Sequence, residues 1–65
     1  MANKYVTLEK STAVAETTEG LRVEVDGTEA WIPKSQISDE SEVQARGDTG
    51  DLVITEWIAK EKGLI

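Results

Sequence analysis

The sequence predicts a mainly β domain, a small antiparallel barrel of about five strands closed by a short C-terminal helix. Three observations predict this fold. Apolar and polar residues alternate in several short runs, Asp- and Gly-containing turns separate the runs, and the period changes to that of a helix only near the C-terminus. A chain of 65 residues has room for one core, so we expect a single domain over residues 1–65.

The first part of the chain predicts two strands. Val6 and Leu8 alternate with polar or aromatic residues over residues 5–9, which is the pattern of a half-buried strand. Residues 12–17 alternate less clearly, and their small side chains favour a curved or bulged strand. Residues 18–20 end in glycine and predict a turn.

The clearest local signal is a hairpin over residues 21–33, with Asp26 and Gly27 at its turn. This dipeptide suits a two-residue type I′ turn, because both central positions need positive φ. The resulting register places Arg22 opposite Trp31 on the outer face, where a guanidinium and an indole can stack. The register also pairs Val25 with Thr28, Val23 with Ala30, and Leu21 with Ile32, and it sends the last two pairs into the core.

The orientation of Trp31 depends on the length of this turn. The two-residue turn opposes Glu24 to Glu29, which is an unfavourable like-charge pair. A turn longer by one residue would shift the register and send Trp31 inward. The sequence leaves both alternatives open.

Further elements follow the hairpin. Pro33 lacks an N–H and should end its strand, and residues 34–37 predict one turn of 3₁₀ helix. Residues 38–42 form an acidic run that indicates a loop. Residues 42–46 and 51–55 predict two more strands, separated by a Gly-Asp-Thr-Gly turn.

The last segment predicts a short helix that docks on the barrel. Thr55 can cap its N-terminus, and Gly63 with Leu64 resembles a Schellman ending. A helix this short must pack against something to be stable, so we expect Trp57 and Ile58 to lie in the core.

Charge and composition exclude several chemistries. The net charge of −6 disfavours a generic binder of the phosphate backbone and suits an acidic surface for a basic protein partner. The chain has no Cys and no His, so it has no disulfide, no Cys/His zinc site and no imidazole to activate a serine. We therefore predict a protein that is not an enzyme and has no catalytic residues, metal site or cofactor.

One tripeptide requires a separate test. Asp48, Thr49 and Gly50 spell the Asp-Thr-Gly of aspartic proteases, in which two aspartates share a proton. Those enzymes carry aliphatic residues before the triplet, whereas Arg46 and Gly47 precede it here. The triplet indicates a turn.

A cluster of aromatic, cationic and hydrogen-bonding residues is the candidate binding site. Aromatic side chains beside Arg or Lys can stack bases or anchor a protein interface. The predicted binding residues are Arg22, Trp31, Lys34, Ser35 and Gln36.

Two segments carry a resemblance. VEVDGTEAWIPKSQI and GDTGDLVITEWIAKEKGL resemble small uncharacterised domains of phage and prokaryotic proteins, over residues 21–64. Such domains share a D-G hairpin, a W-I-P-K-S-Q-I segment and a terminal E-W-[IL]-A-x-x-K-G-L helix, and the resemblance implies no agreed activity. More distantly, the strand, W-I-P and 3₁₀ turn look like part of an SH3 barrel. The expected fold is therefore SH3-like or OB-like.

These observations lead to a working hypothesis with two alternatives. The hypothesis is a non-enzymatic, phage-type accessory or inhibitor protein that binds another macromolecule, with a protein as the expected partner. The first alternative is a single-stranded nucleic-acid-binding module, and the second is an oligomeric sponge for a small ligand such as a nucleotide. The N-terminus has no apolar leader, so we expect a soluble protein of the cytoplasm without membrane contact. If the gene is from a phage, this is the cytoplasm of the host. A homo-oligomer stays possible.

Overall fold

The computed structural model describes residues 4–65. The predicted absence of an apolar leader falls in part on residues 1–3, which lie outside the described residues. Within the described part, the elements are β1 (Tyr5–Glu16), β2 (Gly20–Val25), β3 (Thr28–Pro33), a 3₁₀ turn (Lys34–Gln36), β4 (Thr49–Thr55) and α1 (Glu56–Glu61). The strands form one antiparallel sheet in the order β3-β2-β1-β4. This mainly β architecture with a C-terminal helix confirms the predicted fold class.

The central strand β1 pairs on one side with β2 and on the other with β4. The two strands predicted at residues 5–9 and 12–17 are one continuous strand with two bulges. The first bulge lies between Leu8 and Ser11, where Lys10 has a φ of 59°. The Ser11 hydroxyl is buried and donates a hydrogen bond to the Leu8 carbonyl at 2.8 Å. The second bulge lies between Ala13 and Ala15, where the sequence predicted a bulged strand.

The hairpin of β2 and β3 has the predicted two-residue turn. Asp26 and Gly27 have φ values of 51° and 83°, as a type I′ turn requires. Arg22 pairs with Trp31, and Leu21 pairs with Ile32. Leu21 and Ile32 are fully buried, whereas Trp31 is 42% exposed. The alternative with a longer turn and an inward Trp31 is therefore wrong.

Residues 37–42 close the sheet into a barrel by running along the free edge of β4. Ile37 forms an isolated antiparallel bridge with Ile54. The Ser38 N–H donates to the Val53 carbonyl at 2.8 Å. The buried Ser41 hydroxyl accepts from the Val53 N–H at 3.0 Å, and it thereby takes the place of a strand carbonyl.

The strand predicted at residues 42–46 is wrong, because this segment is a loop. Its alternating pattern reflects one buried side chain, Val43. The Asp48 carboxylate accepts hydrogen bonds from the backbone N–H groups of Gln44 and Ala45, both at 3.0 Å. These N–H groups are therefore unavailable to a sheet, and the Asp-Thr-Gly triplet serves a turn.

Helix α1 begins after Thr55, whose hydroxyl accepts from the Ile58 N–H at 3.2 Å. Ile58 and Ala59 are buried, but Trp57 is 61% exposed, so the prediction that Trp57 lies in the core is wrong. Successive helical residues are about 100° apart, so a docked face centred between Ile58 and Ala59 points Trp57 away. No helix within residues 4–65 has the length and apolar character needed to cross a membrane.

The core lies between the sheet, the closing segment and α1. Its buried apolar members come from all four strands, the loop and the helix, which explains how so short a chain encloses a core. They are Ala13, Leu21, Val23, Val25, Ile32, Val43, Leu52, Ile54, Ile58 and Ala59.

Two glycine substitutions should differ in their cost. Gly27→Ala should lower the free energy of unfolding by about 1–2 kcal/mol, because the positive φ disfavours a side chain but a Cβ there meets nothing within 4 Å. Gly50→Ala should cost about 3 kcal/mol, because its φ is 129° and its Cβ would lie 2.5 Å from Glu42 Oε1, which would then have to leave the Asp51 N–H that donates to it at 2.8 Å. Urea unfolding followed by tryptophan fluorescence measures both, and equal losses would contradict the expected loss of the hydrogen bond between Glu42 and the Asp51 N–H.

Candidate functional site

Trp31 and Arg22 lie side by side on the outer face of the β2–β3 hairpin. They are directly paired across the strands, and both side chains are exposed. The Trp31 ring packs close to Gly20, where an added Cβ would lie 3.5 Å from the ring atom Cε3. Gly20 thus lies beside one edge of the ring, and Trp31 is 42% exposed.

Arg22 is engaged by a carboxylate. Its Nη2 lies 2.6 Å from Glu29 Oε1, and the two side chains are 46% and 43% exposed. This ion pair offsets the unfavourable opposition of Glu24 and Glu29. Exposed ion pairs contribute only about 0.2–1 kcal/mol, so a ligand can take the guanidinium at small cost.

The 3₁₀ turn after β3 holds the other three predicted binding residues. The Lys34 N–H donates to the Glu19 carbonyl at 2.9 Å, which anchors the turn to the β1–β2 loop. Gln36 Oε1 accepts from the Thr55 hydroxyl at 2.7 Å, which ties the turn to the helix cap. Ser35 is exposed at the middle of the turn. Gln36 therefore has a structural contact. That the five residues together form a binding site stays a prediction.

An open depression adjoins this turn at the end of the barrel. We call it the Glu16 depression, and its lining residues are Glu16, Thr17, Thr18, Lys34 and Arg46. The Lys34 ammonium forms an ion pair with Glu16 Oε2, and both side chains are about one-third exposed. The Arg46 backbone N–H donates to Glu16 Oε1 at 3.2 Å.

Glu16, Thr17, Thr18 and Arg46 are not among the binding residues that the sequence predicts. Glu16 is 18 residues from Lys34 and 30 from Arg46, so no local pattern connects them. The weak alternation of residues 12–17 predicted a bulged strand, but it did not indicate on which face of that strand Glu16 lies.

The pKa of Glu16 is lowered from its ordinary value. The hydrogen bond from Lys34 is the largest cause, and the N–H of Arg46 adds to it. Partial desolvation and the charge of Asp48 act in the opposite direction but do not reverse the lowering of this pKa. Glu16 is therefore ionised in the folded protein at neutral pH.

Other exposed aromatic residues lie away from the hairpin. Trp57 lines a second shallow depression with Lys60 and Glu61, and Tyr5 is 48% exposed. Among residues 4–65, no group of three or more His, Cys, Asp or Glu side chains is placed to hold a metal ion.

The depressed pKa of Glu16 predicts a contribution to stability that depends on pH. Its ionised form is favoured by folding, so the contribution is present above the unfolded pKa and is lost as pH falls through the folded pKa. The thermal midpoint of Glu16→Gln should lie below that of the wild type at neutral pH, and the difference should shrink between about pH 5 and pH 3. Glu9→Gln, an exposed substitution elsewhere on β1, is the control, and a constant difference for Glu16→Gln would contradict the ion pair.

The outer face of the hairpin thus combines a half-exposed indole with a guanidinium, and the Glu16 depression adds two cationic side chains beside it. An exposed aromatic face can stack a planar ring, and neighbouring cations can attract a negatively charged ligand.

Comparison with known proteins identifies a family. The family model described as S1 RNA binding domain matches residues 11–65. No curated protein and no solved structure matched the chain. The S1 domain is an OB fold, which agrees with the OB-like expectation.

This match corrects the predicted function and partner. The expectation of an acidic accessory protein with a protein partner is wrong. The expectation that the net charge disfavours a nucleic-acid partner is also wrong. The match favours the alternative, a single-stranded nucleic-acid-binding module. Net charge misled because it sums the whole chain, including the acidic loop at residues 38–42, whereas a ligand meets only local charges.

Proposed function

Because the chain belongs to the S1 RNA-binding domain family, we propose that it binds single-stranded RNA through the outer face of β2 and β3, with Trp31 as the stacking residue. The observation that carries this proposal is the family match over residues 11–65. The OB fold commonly binds oligonucleotides on the face formed by its second and third strands. Trp31 is exposed on this face.

Trp31 suits a base for physical reasons. Gly20 lies beside one edge of its ring and Trp31 is 42% exposed, so a base can stack on the exposed part with little reordering of the protein. Every base has a π face, so this contact tolerates many sequences. Arg22, on the paired strand position, can exchange Glu29 for a phosphate or stack on a base.

The acidic character of the chain affects how the domain binds. The net charge is −6, and the cations Arg22 and Lys34 each have a carboxylate partner. Release of counterions therefore contributes less than in a basic RNA-binding protein. Stacking and hydrogen bonds carry a larger share of the affinity.

Three narrower expectations accompany this proposal. The domain acts by binding and not by catalysis, since RNA recognition of this kind needs no reacting group. A phage-type origin, suggested by the W-I-P-K-S-Q-I and E-W-I-A-K-E-K-G-L segments, and a location in the cytoplasm both stay predictions from the sequence.

Removal of the Trp31 ring should weaken RNA binding without unfolding the domain. Loss of one stacked base costs about 1–3 kcal/mol, so Trp31→Ala should raise the Kd for an oligouridylate about 5- to 150-fold. Fluorescence anisotropy of a labelled oligonucleotide measures the Kd, and circular dichroism checks the fold.

Trp57→Ala is the matched control, because it removes the same exposed ring from α1. It should leave the Kd unchanged. If Trp57→Ala abolishes binding and Trp31→Ala does not, the hairpin face is not the RNA-binding surface.

Affinity should fall with salt, but only weakly. For a single strand the slope of log K against log salt is about −0.7 for each phosphate contacted by a cation, so one or two contacts give a slope between about −0.7 and −1.4. Arg22→Gln should make the slope shallower by about 0.7, and Lys62→Gln, on the exposed end of α1, should leave it unchanged. Affinity that does not fall as salt rises would remove Arg22 from the interface.

A further inference from the structure

The position of Glu16 results from the second bulge of β1. Without the extra residue, strict alternation from the buried Ala13 would turn Glu16 outward. The bulge shifts the register so that Glu16 pairs with Leu21, which is fully buried. Paired residues share a face of the sheet, so Glu16 lies on the inner side of β1, at the open end of the barrel. The Glu16 carboxylate itself stays exposed, and partners from two segments meet it there.

The partners of Glu16 converge from two separate segments. Lys34 comes from the 3₁₀ turn that follows β3. Arg46 comes from the loop before β4, which docks on β1 by two hydrogen bonds of 2.9 Å, from the Gly47 N–H to the Ala13 carbonyl and from the Ala13 N–H to the Asp48 carbonyl. The two Glu16 oxygens therefore meet an ammonium and a backbone N–H from two different segments, and the Arg46 side chain lines the same depression.

This set of donors is suited to a larger anion. An ammonium, a backbone N–H and a guanidinium are the groups that proteins use to bind phosphate. In the free protein the Glu16 carboxylate holds two of these donors. The Glu16 side chain is about one-third exposed and flexible, so its carboxylate can leave these donors without disturbing the core.

The depression also adjoins the proposed stacking surface. A Cβ at Gly20 would lie 3.3 Å from Thr17 Oγ1, on the rim of the depression, and 3.5 Å from Cε3 of Trp31. Gly20 therefore separates the ring from the depression by a single residue. The rim of the depression is therefore close to the ring on which we propose that a base stacks.

We propose that the Glu16 depression is a phosphate-binding subsite for the RNA backbone, and that the Glu16 carboxylate occupies it in the free protein as an intramolecular competitor. This inference rests on the proposed RNA binding. It adds a second region that contacts the RNA, and a carboxylate that lowers the affinity for RNA by competing with phosphate. RNA binding transfers Lys34 and the Arg46 N–H from Glu16 to a phosphate oxygen. The local charge seen by the phosphate becomes more positive as Glu16 moves away.

The test compares Glu16→Gln with Glu9→Gln, because both remove one negative charge from β1. Glu16→Gln should lower the Kd for an oligouridylate about three- to fivefold, since an exposed ion pair no longer competes. Glu9→Gln should leave the Kd nearly unchanged. Equal gains in both variants would reflect general charge, and an unchanged or raised Kd for Glu16→Gln would mean that Glu16 only links the loops; either result overturns the proposal.

Two further measurements identify the ligand group. Lys34→Gln combined with Glu16→Gln should remove the gain in RNA affinity that Glu16→Gln gives alone, because the ammonium for which Glu16 and phosphate compete is then absent. An oligouridylate with uncharged methylphosphonate linkages should bind Glu16→Gln and the wild type equally. A gain that persists with the uncharged backbone would overturn the assignment to phosphate.

A last arm separates this inference from the proposed function. If neither the wild type nor Glu16→Gln binds oligouridylate, the proposed function fails, and inorganic phosphate becomes the probe. The Arg46 amide resonance should then shift on addition of phosphate in Glu16→Gln and much less in the wild type, and no shift in either overturns the subsite. If Glu16→Gln is unfolded by circular dichroism, Glu16→Ser replaces it in every arm.

Discussion

The whole domain depends on β1, because this strand pairs with β2 on one side and with β4 on the other. A strand that serves two neighbours in a barrel must bend, and its two bulges allow it to do so. The first bulge leaves Lys10 exposed and buries Ser11, whose hydroxyl donates a hydrogen bond to the Leu8 carbonyl. The second bulge brings Glu16 into the register of a core residue. The bend that closes the barrel thus also determines the chemistry at its open end.

Closure on the far side uses side chains instead of a regular strand. Ser41 is buried, and its hydroxyl meets the Val53 N–H, so residues 37–42 can follow β4 without strand geometry. The Asp48 carboxylate similarly satisfies N–H groups of the next loop. A 65-residue chain cannot add a long strand to cover every edge, and these short polar side chains satisfy the backbone with few residues.

The charge distribution explains how an acidic chain can belong to an RNA-binding family. Arg22 and Lys34, the cations near Trp31, are paired with Glu29 and Glu16, and both pairs are exposed enough to be exchanged for a ligand. Net charge determines the long-range attraction between the protein and RNA, whereas the contact itself depends on whether nearby cations can exchange their carboxylate partners for the ligand. The predicted preference for a protein partner was wrong because it applied a whole-chain quantity to a local site.

The sequence by itself determined the hairpin. Asp26 and Gly27 favour a two-residue turn, and the structure decided for this turn over the longer one, in the register that exposes Trp31 beside Arg22. Only the tertiary structure decided the loop at residues 42–46, the exposure of Trp57 and the meeting of Glu16 with Lys34 and Arg46. The physical reason is range. Turn and strand preferences act over a few neighbouring residues, whereas helix docking and loop contacts depend on segments that the chain brings together only when the barrel closes.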